Sequence, residues 1–97
     1  SKANENSWRI LFSIANVFSY NEYYEEAIPM WQKTFDCMPK PRYTDSFEAM
    51  AQCCIRMGDH ESAVEYYKKE LELLREDWGL KYGAEVDALE EKIRALQ

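Results

Sequence analysis

Glycine and proline are scarce, at three residues each, and no Asn-Gly or Asp-Gly pair stands where a two-residue hairpin would need one. Clean alternation of apolar and polar residues is almost missing too, which argues against sheet structure and leaves helices. Histidine occurs once, at His60, and there is no phosphate loop, glycine-rich dinucleotide fingerprint or nucleophile elbow. No enzymatic activity and no cofactor are expected. No apolar run approaches the length of a membrane span, and the opening SKANENSWRI lacks the charged start and apolar centre of a signal peptide. Starting at Ser1 without methionine, the chain reads as a piece of something longer. Positive charge is in deficit: 12 basic against 18 acidic residues give a net charge of -6, which repels a phosphate backbone, so neither nucleic acid nor membrane is an expected partner. The three cysteines, Cys37, Cys53 and Cys54, show no metal-ligand spacing. They are expected to be free thiols without a metal, in a reducing intracellular compartment, cytoplasmic or nuclear. Helical geometry sets Cys53 and Cys54 about 100° apart, one facing the core and the other near its edge.

What the chain has in quantity is apolar residues at three-and-four spacing. From Trp8 to Tyr20, Leu11, Ile14, Ala15 and Phe18 form an inward stripe. A second helix is predicted from about Tyr23 to Cys37, with Ala27, Ile28, Trp31 and Phe35 inward and a kink or loosened turn at Pro29, whose missing amide would have bonded to Glu25. Pro39 and Pro41 stop it. A third helix from about Tyr43 to Met57 buries Phe47, Met50, Ala51 and Cys54. Gly58 then ends that helix in a left-handed conformation and Asp59 caps the next. The fourth, from about His60 to Asp77, turns Ala63, Val64, Tyr67, Leu71 and Leu74 inward. Ala63 is small because two helices joined by so short a turn come close together near it.

The pattern occurs twice. A shift of 36 residues carries Ala27 to Ala63, Leu11 to Phe47, Ile14 to Met50, Ala15 to Ala51, Phe18 to Cys54 and Trp31 to Tyr67. In this duplicated layout the chain resembles the tetratricopeptide repeat, a helix-turn-helix unit of about 34 residues that stacks into a superhelix. The resemblance is carried by the Gly58-Asp59 turn, the AVEYY run and Pro39 at the closing position, and it spans about residues 8 to 77. The departures are Asn21-Glu22 in place of the glycine-acid turn, an excess of two residues around Lys40-Pro41, and Arg75 where a closing proline is usual. The resemblance implies an all-α solenoid of two antiparallel hairpins with a fifth, capping helix: one domain over residues 1–97, with repeats at about 8–41 and 44–77 and the cap at about 81–97.

The tail helix, from about Lys81 or Ala84 onward, has the narrow stripe Val86, Leu89, Ile93 and Leu96. It suits a cap over the second hairpin, with its charged side to water. The same spacing also suits a seam for self-association or for further repeats.

The resemblance further implies that the first helix of each unit lines a concave face that reads a partner peptide. The matching positions are Arg9, Phe12, Ser13, Asn16 and Tyr20 in the first unit, and Asp45, Glu48, Gln52 and Arg56 in the second. Asn16 and Gln52 can donate and accept to a peptide backbone, Arg9 and Arg56 can hold a carboxylate, and Phe12 and Tyr20 offer apolar contact. One subfamily grips the acidic tails of heat-shock chaperones. Asn16 matches one place of that clamp, but Phe12 replaces its lysine and Ala49 its second asparagine, so the tail specificity does not carry over. A protein-protein interaction module is thus expected, with a homo-oligomer or an assembly segment of a larger helical-repeat scaffold as the alternative.

Overall fold

A computed structural model of the chain describes residues 2–97, with side chains from Ser7 onward. Its described residues form five α-helices and no strand: α1 (Lys2–Tyr20), α2 (Tyr24–Asp36), α3 (Asp45–Arg56), α4 (His60–Trp78) and α5 (Ala84–Leu96). Consecutive helices pack on one another as antiparallel neighbours, α1 on α2, α2 on α3, α3 on α4 and α4 on α5. The Cα envelope measures 39 × 32 × 16 Å, a slab two helices thick.

The two hairpin turns share one chemistry. After α3, Gly58 adopts φ +80°, its amide bonds to Ile55 O at 2.9 Å and the Asp59 amide reaches back to Cys54 O at 2.8 Å. This paired arrangement satisfies carbonyls that a helix end would otherwise leave open. The Asp59 side chain accepts from the Ser62 amide at 3.1 Å and caps α4, as expected from the sequence. After α1 the same pair of bonds forms, Glu22 N to Ser19 O and Tyr23 N to Phe18 O, with Glu22 held at φ +66°. A left-handed conformation costs a residue with a Cβ roughly 1 kcal/mol, so the first turn is the more strained copy.

All four alanines at the repeated positions, Ala15, Ala27, Ala51 and Ala63, are fully buried. The core divides between two levels. One gathers Ala15, Ala27, Trp31, Phe35, Phe47 and Met50 between the hairpins, and the other gathers Ala51, Cys54, Ala63, Tyr67, Leu74 and Leu89. Most of the expected inward residues are buried or half-buried, with departures on α1, α3 and α4. Ile14 is exposed, because no element covers the outer side of α1. Cys53, the neighbour of inward Cys54, is not near an edge but buried as well, since α3 is packed on both α2 and α4. On α4 the deeper leucine is Leu73, and Leu71 is half-buried. α2 continues as one helix through Pro29.

The linker between the hairpins is fastened by a contact that local periodicity does not announce. Arg42 donates its backbone amide and Nε to Asp77 Oδ2, both at 2.9 Å, and a terminal guanidinium nitrogen to Oδ1 at 3.1 Å. Trp78 Nε1 donates to the Arg42 carbonyl at 2.7 Å, and the guanidinium lies 4.5 Å over the Phe35 ring. The arginine holds the Asp77 carboxyl at about 2, well below the ordinary carboxylate range. At the other end of the chain, Val86, Leu89 and Ile93 are buried against α4 while the opposite side of α5 is charged. α5 thus lays its apolar stripe on α4.

Candidate functional site

α1 and α3 share one side of the slab, and two hollows form along it. The wider, of about 480 Å³, is lined by Trp8, Arg9, Phe12 and Ser13 of α1 with Tyr43 and Asp45 at the start of α3. Its walls are aromatic: Trp8 and Tyr43 lie with ring centres 5.7 Å apart, and Phe12 meets Trp31 edge-on at 5.0 Å. The Arg9 guanidinium rests 4.6 Å over the Trp8 ring, a cation held at the rim by the negative ring face. The second hollow, of about 260 Å³, lies between Asn16 and Ser19 on α1 and Ala49, Gln52 and Arg56 on α3. Trp31 and Cys53 form part of its lining, where Trp31 Nε1 donates to Ser19 Oγ at 2.8 Å and Ser19 Oγ sits 3.6 Å from Cys53 Sγ. Burial pushes the Cys53 thiol up, opposing thiolate formation.

The residues proposed from sequence therefore divide. Arg9, Phe12 and Ser13 share the wide hollow, and Asn16, Gln52 and Arg56 share the narrow one. Tyr20, 88% exposed, lines neither. Ser13 is partly occupied, its hydroxyl donating to the Arg9 carbonyl at 3.2 Å. Gln52 is positioned as well as available: its amide donates to the Tyr67 hydroxyl at 2.9 Å, so α4 helps aim a side chain of α3. Trp8 and Tyr43 join the site although the concave-face pattern did not select them. Their aromatic character is the sequence signal that could have done so.

Glu48 takes a different place. Its Oε1 accepts from Lys92 Nζ of α5 at 3.0 Å, and Lys92 also lies 5.5 Å over the Tyr67 ring. Against this pair sits Glu70 of α4, only 5% exposed, with one carboxyl oxygen lacking any hydrogen-bond partner. Burial first, and then the charge and hydrogen bonding of Glu48, push the Glu70 carboxyl up to about 8. Near neutral pH it is therefore mainly a neutral acid donating to the Glu48 carboxylate, with Lys92 balancing the one remaining charge. Among the described residues no group of histidine, cysteine and carboxylate side chains is placed to hold a metal ion, and no helix is long and apolar enough to cross a membrane.

This geometry, short-turned hairpins meeting through paired alanines, can be set beside known families. Residues 46–77 match the tetratricopeptide repeat model. The match covers α3 and α4, with Ala51 and Ala63 buried on the two facing helices and the Gly58-Asp59 turn between them. α1, α2 and α5 lie outside the matched segment, although α1 and α2 repeat the tetratricopeptide spacing at a 36-residue offset. No curated protein matches the chain. Tetratricopeptide repeats are units of protein-protein interaction, and the match suggests that general role.

Proposed function

We propose that the chain binds an extended segment of a partner protein along the groove between α1 and α3, using Arg9, Phe12, Ser13, Asn16, Gln52 and Arg56, with Tyr20 at its margin. The observation that carries this reading is the convergence of Asn16, Gln52 and Arg56, from two different helices, on one hollow beside an aromatic-walled one. A peptide needs both kinds of surface. Its amides are answered by Asn16 and Gln52, an acidic group or chain terminus by Arg56 or Arg9, and an apolar side chain by the Trp8, Phe12 and Tyr43 walls. An open surface of this kind suits recognition of an extended segment.

The test is selection of peptides from a random library on the wild-type chain, followed by titration calorimetry on the selected sequences. Asn16→Ala and Arg56→Ala should each weaken them roughly tenfold, the loss of about 1.4 kcal/mol, with an unchanged helical circular dichroism spectrum. Equal affinity for the double variant would defeat the groove assignment.

A further inference from the structure

The outer side of α1 carries a second surface, independent of the groove. Ile10, Ile14 and Val17 follow each other at intervals of four and three, on one side of the helix, and stand 68%, 39% and 60% exposed. The 36-residue offset shows what this side of a helix does elsewhere in the same molecule. It carries Ile10, Ile14 and Val17 to Ser46, Met50 and Cys53, and those three residues of α3 are all buried, Met50 and Cys53 within the core shared with α2. The α1 stripe is thus the counterpart of an interface that the chain builds once internally and leaves open once, and its open copy is the more apolar of the two.

We propose that this stripe pairs with the same stripe of a second copy, α1 against α1 in antiparallel register about a twofold axis near Ile14. Two observations favour a second copy as the occupant. First, charge: between Ser7 and Tyr20 the only charged residue is Arg9, in a chain of net charge -6 whose cap α5 carries six charged residues within Ala84–Leu96. Most other faces of an acidic chain repel a second copy, and this one does not. Second, near-symmetry: the intervals of four and three on either side of Ile14 differ by one residue, so antiparallel pairing sets Ile10 close to the partner's Val17 and brings the two Ile14 side chains together near the axis. The opposite side of α1, with Ala15 and Phe12, is already packed within the fold.

The experiment is sedimentation of the full chain over a range of concentrations, with Ile14→Glu as the disrupting variant and Tyr82→Glu, at another exposed position, as its control. Wild type and Tyr82→Glu should sediment as dimers, and Ile14→Glu as a monomer with the helical spectrum of the wild type. To fix the register, Ile14→Cys in a Cys37→Ser background should form an intermolecular disulfide on mild oxidation, whereas Glu65→Cys, on exposed α4, should not. A monomeric wild type at about 100 µM, well above the micromolar range in which a specific interface of standard size associates, would overturn the proposal. Equal crosslinking at Glu65→Cys or dimers that survive Ile14→Glu would do so as well. A partner protein on this stripe in place of a second copy would show as a monomer in isolation, and so counts against it. Groove binding is read separately, since Asn16 and Arg56 lie off the stripe.

Discussion

Replacing Glu70 with glutamine should make the protein more stable at neutral pH, although it alters a buried, hydrogen-bonded side chain. In the folded chain burial pushes the carboxyl up to about 8 from its ordinary 4.5. Between those values the native state keeps a proton that the unfolded chain releases, so stability falls as pH rises through that window and levels off above it. At 1.36 kcal/mol for each pH unit, the penalty at pH 7 comes to about 3 kcal/mol. Glutamine keeps a donor for Glu48 and an oxygen for the remaining space, and it cannot ionise. Urea unfolding followed by circular dichroism at pH 4.5, 6, 7 and 8.5 measures the difference between the two proteins. It should be near zero at pH 4.5, about 3 kcal/mol at pH 7 and larger still at pH 8.5, where it levels off, since the difference isolates one titration. The charges facing the site are Glu48 of α3 and Lys92 and Glu85 of α5, all present in both proteins. A difference that stays constant across pH would refute the reasoning, because Glu70 would then be ionised in the fold.

Asp77→Ala should lower the melting temperature at neutral pH by removing the acceptor of Arg42. Because the folded carboxyl is held at about 2, below its usual 3.8, its stabilisation is present above the ordinary value and fades as pH falls toward 2, so the variant and the wild type should converge in acid melts. Glu22→Gly should stabilise the first turn by roughly 0.5–1 kcal/mol by relieving the left-handed strain, whereas Gly58→Ala should cost about the same at the second turn, where a Cβ meets no neighbour and only the backbone conformation is at issue; chemical denaturation reads both. Ala63→Leu should cost about 1–3 kcal/mol by overpacking the closest approach of α3 and α4, seen as a lower urea midpoint, and an unchanged midpoint would mean that the two helices do not meet there as tightly as the structure shows.

Helices, turns and paired alanines were legible because each is written in neighbouring residues: three-and-four spacing for α1 to α5, a glycine followed by an acid at Gly58-Asp59, and small residues repeating at Ala27 and Ala63. Ile14 was misplaced for a related reason. Periodicity reports that a side is apolar and not what covers it, and the equivalent Met50 is buried only because α2 lies against it. The clasp between Arg42 and Asp77 joins residues 35 apart across a linker, and Glu70 is isolated from water by Lys92 and Glu48 arriving from other helices, so neither has a local signature. The groove was half legible. Asn16 and Arg56 follow from matching the repeat, whereas Trp8 on α1 and Tyr43 just before α3 line the wide hollow from positions that the repeat pattern does not select.

That linker has a mechanical consequence. Successive hairpins joined by free chain can swing like pages about a spine, and the curvature of the stack would then follow whatever is bound. Here Arg42 leaves the joint between the hairpins and grips the last turn of α4, with Trp78 closing over its backbone, so the second hairpin is anchored at the edge remote from its own Gly58 bend. The stack behaves as a braced arch, and a ligand must accommodate its bow instead of bending it.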